Sequence, residues 1–216
     1  MNRQVFITAI ILTVFAVIGG GLVAFTEKST AAQISNNEKL ALQQSLSNLL
    51  PPNCYDNDLT ESVISVNKDK LLGTKKSSNV YVASLDTVPV AFIFNSIAPR
   101  GYNGGIYLLI GVYADGEIAG VRVHKHKETP GLGDAIDERR SDWIYSFNSK
   151  SLDNLSSKEW KVKRDGGYFD QFTGATITPR AVVKAVHDTL LYFKEHKETL
   201  LQQANSLTPE SNKGGK

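Results

Sequence analysis

An uncharged apolar stretch near the N-terminus constrains this chain most strongly. Residues Val5–Phe25 carry no charged side chain, and Glu27 and Lys28 follow shortly after them. A helix of this length spans roughly 30 Å, the hydrocarbon thickness of a bilayer. We therefore predict a transmembrane anchor over residues 1–28. The alternative is a cleaved signal peptide, whose apolar region is usually shorter.

The charges beside this stretch give a weak signal for orientation. Arg3 precedes it, whereas Glu27 and Lys28 nearly cancel each other behind it. The positive-inside bias then favours an N-terminus in the cytoplasm and a C-terminal domain outside the membrane. A single cysteine, Cys54, suits that compartment because the chain holds no second thiol with which it can mispair.

The remaining residues have the pattern of one α+β domain. Hydrophobic residues make up 41% of the chain and charged residues 21%, which is a globular composition. Residues 29–52 form a membrane-proximal helix that Pro51-Pro52 ends. Asp115-Gly116 predicts a hairpin, because both residues tolerate a positive φ. The runs that predict strands are rich in β-branched and apolar residues: Val80–Leu85, Val88–Asn95, Ile106–Ala114 and Glu117–His126.

Helical signals dominate the C-terminal part. Asp134–Phe147 contains a helical piece, and a longer helix follows in which Thr178 is the expected cap and Pro179 the first helical residue. An apolar stripe that includes Val182 and Val186 lines this helix. We expect the α+β domain, with a mainly antiparallel sheet flanked by helices, to cover residues 53–204. A disordered tail at 205–216 follows.

Several function classes lack support. The net charge is +2, from 24 Lys+Arg and 22 Asp+Glu, and gives no basis for nucleic-acid binding. One cysteine excludes an intramolecular disulfide and a CxxC site. GxGxxG, P-loop, HExxH and GxSxG sequences are absent. We therefore expect no catalytic residue and no metal site.

The first candidate site segment is KETPGLGD at residues 127–134, directly after a predicted strand. Pro130 restricts one φ, while Gly131 and Gly133 allow the backbone to approach a ligand closely. Backbone N–H groups exposed in this way can bind the polar edge of a flat heterocycle. The alternative is a tight strand-to-helix connection in which Asp134 is a cap.

The second candidate segment is DQFTGATITPR at residues 170–180. Thr176 precedes a predicted helix N-terminus, which favours a phosphate, and Arg180 adds a positive charge nearby. Gly174 and Ala175 leave the Thr176 hydroxyl accessible to a ligand or a modifying enzyme. The alternative is a capping stretch that uses Thr176 and Thr178.

These segments, taken in order, resemble a known family. GYNGGI at 101–106, HKETPGLGD at 126–134, FD at 169–170 and TGATIT at 173–178 are similar to the G subunit of the Rnf (Rsx) ion-translocating oxidoreductase complex. The likeness covers nearly the whole chain, including the N-terminal span. A more distant resemblance is to the C subunit of the sodium-translocating NADH:quinone reductase.

The resemblance implies a covalent flavoprotein. FMN is then attached to Thr176 through a phosphoester by a separate flavin transferase that uses FAD and Mg²⁺. That enzyme reads Asp170, Gly174 and Ala175, and Thr173 stands where many family members have serine. The residues expected beside the isoalloxazine ring are Glu128, Thr129, Gly131 and Leu132.

The resemblance also implies a role and a location. The protein is expected to relay electrons within a multi-subunit complex of the bacterial inner membrane, with its C-terminal domain on the periplasmic side. It is an electron-transfer subunit and not a stand-alone catalyst, and its partners are the other subunits and the flavin transferase. The competing interpretation is a cofactor-free anchored binding or assembly subunit. An enzyme with Thr176 as nucleophile lacks a convincing base.

Overall fold

The computed structural model describes residues 2–207, which fall into two compact units with their boundary between Leu42 and Gln43. Helix α1 covers Asn2–Ser47 and has no break near residue 28, where we expected the anchor to give way to a second helix. The expected end at Pro51-Pro52 lies close to the observed one.

The first unit contains the apolar part of α1. Residues Arg3–Ile34 are long and apolar enough to cross a membrane. Large apolar side chains are exposed around this helix; Phe15 and Phe25, for example, are each 72% exposed. A helix that is apolar on all sides is stable in a protein core or in lipid. This agrees with the predicted N-terminal span.

The second unit is built on a five-stranded sheet. Its order is β1-β2-β3-β4-β5, and every neighbouring pair is antiparallel. The predicted α+β class with an antiparallel sheet is confirmed. The strands are β1 (Val63–Val66), β2 (Ser78–Leu85), β3 (Val88–Gly101), β4 (Gly104–Tyr113) and β5 (Ile118–Lys125).

Two hairpins connect the last three strands of this sheet. Asp115-Gly116 joins β4 to β5 with Gly116 at φ 102°, as predicted. Strand β3 includes Pro99, continues to Gly101 and turns into β4 through Tyr102 and Asn103. Pairing with β4 extends this strand beyond the end of its apolar run.

Helix α2 (Ile177–Leu207) covers one face of the sheet. Its apolar stripe meets β3, where Phe92 packs on Phe193 with ring centroids 5.8 Å apart. The buried hydroxyl of Thr189 donates a 2.9 Å hydrogen bond to Ser96, so these polar groups in the core are paired. Helix α2 is therefore fixed on the sheet by packing along its length.

The sheet also receives the apolar residues at the end of α1 and just after it. Leu46, Leu49 and Leu50 are almost fully buried. Gly111 and Gly120 make room for Leu49, since a Cβ on Gly111 would lie 2.4 Å from Leu49 Cδ2. Two facing glycines thus form the notch in which this apolar segment is seated.

Two predicted elements differ from the structure. The helical piece at Asp134–Phe147 is two short 3₁₀ helices, Gly133–Ile136 and Asp142–Phe147. Helix α2 extends through residues 205–207, which we expected in a disordered tail, and residues 208–216 lie outside the described part of the chain. Ala204 is the last buried residue of α2 among the described residues, and residues 205–207 continue the helix beyond it as exposed positions.

Candidate functional site

A cavity of about 300 Å³ lies where three segments meet. These are the β3–β4 turn, the loop after β5 and the N-terminal end of α2. Its lining is mostly apolar or backbone, with a few polar side chains, as is common for cofactor sites. The lining residues are Tyr102, Glu128, Thr129, Leu132, Gly133, Gly174, Ala175, Thr176, Ile177 and Thr178.

The buried carboxylate of Glu128 connects the three segments. It accepts hydrogen bonds from the backbone N–H groups of Tyr102 (3.3 Å) and Asn103 (3.1 Å) and from the hydroxyl of Thr178. Its own N–H donates to Nδ1 of His126 at 3.1 Å. Charge-assisted bonds of this kind are stronger than neutral ones, so Glu128 holds the walls of the cavity in place.

The loop after Glu128 turns tightly on Thr129. The carbonyl of Thr129 accepts from the N–H groups of Leu132 and Gly133, at 3.2 and 3.1 Å. Gly131 has φ 76°, a conformation that favours glycine. A Cβ on Gly133 would lie 2.9 Å from Thr178 Oγ1 and 3.0 Å from Glu128 Oε2, so the close approach of loop and helix requires a glycine there.

The TGAT segment forms a turn that leads into α2. The N–H of Ala175 donates to the carbonyl of Phe172 at 3.2 Å, and Gly174 in this turn has φ 82°. Thr176 is the residue before the first helical residue, Ile177. Among residues 2–207, no hydrogen bond engages the Thr176 hydroxyl or the N–H groups of Ile177 and Thr178. This helix end therefore presents free donors and a free hydroxyl at the cavity.

The cap predicted for α2 is wrong. Thr178 lies inside the first turn, where it is buried and donates to Glu128, and Pro179 is the third helical residue. The position before the helix belongs to Thr176. A distant acceptor, 50 residues earlier in the chain, recruits the Thr178 hydroxyl and removes it from local capping.

Arg180 also differs from expectation. Its guanidinium donates two hydrogen bonds of 2.6 Å to Asp165 and is held at that carboxylate. The hydrogen bond from Arg180 keeps the pKa of Asp165 below its ordinary value, and the same bond raises the pKa of Arg180. The pair attaches the chain before Gly166 to the first turn of α2.

The Asp165–Arg180 pair gives a pH-dependent prediction. Because the folded pKa of Asp165 is lowered, its stabilising effect is present above the unfolded value of about 4 and is lost as the pH falls through the folded value. Asp165→Asn should slightly lower the melting temperature at pH 7, and the difference should disappear in acid. Asp153→Asn, at an exposed carboxylate, is the control. An equal difference at every pH would contradict the assignment.

Two protein-family models match separate parts of this chain. The model of the FMN-binding domain matches residues 101–191, and the RnfG N-terminal region matches residues 1–49. The G subunit of an ion-translocating oxidoreductase complex from Vibrio cholerae is 47% identical over 196 residues, 91% of this chain and 93% of that protein. The corresponding G subunit of Pseudomonas aeruginosa is 47% identical over 200 residues, 93% and 94% of the two chains.

The chain belongs to the G-subunit family of ion-translocating oxidoreductase complexes. The FMN-binding domain of this family member begins at the β3–β4 turn and includes every residue that lines the cavity. The match to the N-terminal region covers α1 and ends at Leu49 in the glycine notch.

The cavity of this RnfG-type domain contains most of the predicted site residues, but not all of them. Glu128, Thr129, Leu132 and the Gly174–Thr176 stretch line it. Asp170, Thr173 and Gly131 do not. The Asp170 carboxylate is exposed and pairs with Lys163 at 2.7 Å, while its carbonyl accepts from Trp143 Nε1 at 2.8 Å.

Four lining residues of the cavity were absent from the predicted site. They are Tyr102, Gly133, Ile177 and Thr178. The glycines near Tyr102 do not indicate that this residue lies close to Glu128. The sequence does indicate Gly133 as a site residue, since it lies in the same glycine-rich loop as Gly131. Ile177 and Thr178 were assigned to the helix start rather than to the cavity.

Proposed function

We propose that this protein is a membrane-anchored flavoprotein subunit of an Rnf-type electron transport complex, with FMN joined to Thr176 by a phosphoester. The supporting observation is the position of Thr176 at the cavity and before α2, with a hydroxyl that no group within residues 2–207 engages. FMN, when bound, supplies the redox chemistry. The protein supplies attachment, orientation and the surroundings of the ring.

The electrostatics of this helix end support a phosphoester. The N–H groups of Ile177 and Thr178 have no acceptor among residues 2–207, and the macrodipole places partial positive charge there. Arg180 faces Asp165 and does not supply the charge that we expected at the phosphate. The proposed phosphate site therefore depends on backbone groups.

Access to the Thr176 hydroxyl supports modification by a separate enzyme. Thr173 and Gly174 are exposed in the turn, and Asp170 is exposed nearby. We propose that a flavin transferase recognises these residues, with Ala175. The Thr176 oxygen then forms a bond to the FMN phosphorus of FAD, its proton is lost, and the phosphoanhydride breaks to release AMP. Asp170 and Thr173, which do not line the cavity, are therefore proposed as residues that the transferase recognises.

The loop after β5 is proposed to hold the ring. Glu128, Thr129 and Leu132 line the cavity, while Gly131 permits the turn that places Leu132 there. Electron relay needs a fixed distance and orientation but no side-chain acid or base. The hydrogen bonds of Glu128 to the β3–β4 turn and to Thr178 support this role, because they hold the cavity walls together.

The apolar helix α1 and the membrane-associated complexes of the relatives support the proposed location. Residues Arg3–Ile34 anchor the protein in the bacterial inner membrane, and the C-terminal domain lies on the periplasmic side. The weak charge bias around the span supports this orientation. The proposed partners are the other subunits of the complex, with the flavin transferase during maturation.

Intact mass of the denatured full chain tests the proposal. Coexpression with an exported flavin transferase should add the mass of FMN minus water, and peptide analysis should locate it on Thr176. An unmodified mass, with a control substrate fully modified, would favour the cofactor-free binding or assembly subunit. Delivery of electrons to the bound flavin by the purified complex then tests the relay.

Gly174→Val should block the modification. Gly174 has φ 82°, and a Cβ there would lie 3.2 Å from Leu132 Cδ2, so valine strains the turn that leads to Thr176 and crowds Leu132 at the cavity. We expect a loss of most of the added mass, measured on the intact protein. Gly116→Val, at φ 102° in the distant β4–β5 turn, is the control for general strain and should keep its FMN.

A further inference from the structure

Three large apolar side chains stand exposed around the cavity. Tyr102 is 66% exposed, Leu132 is 44% exposed and Ile177 is 48% exposed. Each comes from a different segment, and all three line the same cavity. Exposed apolar groups that converge on one opening typically mark a ligand groove or a binding surface. We call these three residues the apolar rim.

The backbone of Tyr102 is held much more firmly than its ring. The N–H groups of Tyr102 and Asn103 donate to Glu128, and Asn103 Nδ2 donates to Thr129 Oγ1 at 3.2 Å. Among residues 2–207, no aromatic ring or hydrogen-bond partner engages the Tyr102 side chain. A fixed turn therefore presents an unpartnered aromatic ring at the cavity.

The chemistry of the apolar rim fits a flat, largely apolar heterocycle. Aromatic rings gain from offset stacking beyond the burial of their area. Leucine and isoleucine on the other sides add apolar contact without competing hydrogen-bond groups. The polar groups of the cavity lie instead at the Glu128 carboxylate and the free N–H groups of α2.

We propose that Tyr102 packs against the isoalloxazine ring of FMN and is its principal aromatic contact in this protein. Leu132 and Ile177 flank the same ring, and Glu128 positions Tyr102 by fixing the backbone of the turn. This inference rests on the proposed function, because it assigns a ring contact in the same site. It adds a residue from outside the two candidate site segments, 127–134 and 170–180.

Flavin fluorescence distinguishes this contact from a merely structural role. A phenol in contact with an excited flavin donates an electron to it and then takes it back, so emission is quenched without net reaction. Phenylalanine is much harder to oxidise but packs in the same way. Leucine loses both the donor and the aromatic surface.

The test uses the full chain in detergent, loaded by coexpression with flavin transferase. Tyr102→Leu should raise flavin emission per bound FMN several-fold and make that emission more sensitive to iodide. Tyr102→Phe should also be bright but should stay shielded from iodide. Tyr107→Leu should match the wild type, since Tyr107 is 44% exposed on β4 and lies outside the cavity lining.

The outcomes separate this inference from the proposed function. FMN on Thr176 with the same brightness and iodide sensitivity in all four proteins would overturn the role of Tyr102 alone. If the mass shows no linkage, the same comparison is made with FMN added to the apoprotein, and brightening of Tyr102→Leu still supports the contact. If FMN is neither attached covalently nor bound when it is added to the apoprotein, both the Tyr102 contact and the proposed function are overturned.

Discussion

Thr176→Ala should abolish covalent FMN. The substitution removes the oxygen that forms the phosphoester, so no added mass and no in-gel flavin fluorescence should remain. The fold should survive, because the Thr176 hydroxyl makes no hydrogen bond within residues 2–207 and helix α2 is packed along its length. Intact mass and thermal unfolding of the same sample measure both effects.

Thr173→Ala is the matched control for the linkage. Thr173 lies in the same turn and is exposed, but it does not line the cavity. It should leave Thr176 as the attachment point, even where recognition by the transferase is slower. Retention of covalent flavin in Thr176→Ala, or FMN found on Thr173 in the unsubstituted chain, would falsify the assignment of the phosphoester to Thr176.

Glu128→Ala should have the largest effect on stability. The change leaves the N–H groups of Tyr102 and Asn103 and the hydroxyl of Thr178 without their acceptor. Hydrogen bonds to charged groups contribute about 1.5–3 kcal/mol each, and water can replace part of the loss at the more accessible N–H groups. We expect about 3 kcal/mol of destabilisation, or a melting temperature lower by roughly 6–12 °C.

Two further variants are compared with Glu128→Ala, one conservative and one a control at a distant carboxylate. Glu128→Gln keeps one acceptor oxygen and should lose less than Glu128→Ala. Glu117→Ala removes an exposed carboxylate beside the distant β4–β5 turn and should change stability by less than about 0.5 kcal/mol. Equal melting temperatures for Glu128→Ala and Glu117→Ala would show that the carboxylate does not hold the cavity walls together.

Local sequence patterns were sufficient to predict several secondary-structure elements. The β4–β5 hairpin follows from Asp115-Gly116, because the preference for positive φ belongs to the turn residues themselves. Helix α2 and the N-terminal helix are likewise predicted from their own residues, through the apolar stripe of α2 and the long uncharged stretch at Val5–Phe25. The short strand Val63–Val66 was missed, since four residues carry little periodicity and the strand forms by pairing with β2.

Assignments that required distant partners were less successful. Arg180 was expected near a phosphate, but Asp165 holds it. Thr178 was expected to cap α2, but Glu128 accepts its hydroxyl. Both residues were placed correctly near the helix start. Sequence pattern alone does not reveal which acceptor a side chain meets after folding.

The sequence by itself determined an apolar N-terminal helix, an antiparallel α+β domain and the two segments, 127–134 and 170–180, that meet at the cavity. Those features depend on hydropathy, turn preference and helix periodicity over short stretches of chain. Only the tertiary structure decided that Glu128 joins both segments to the β3–β4 turn and that Tyr102 lies at the same opening. Such contacts link residues 26 and 50 positions apart, and they arise from sheet register and helix packing rather than from local preference.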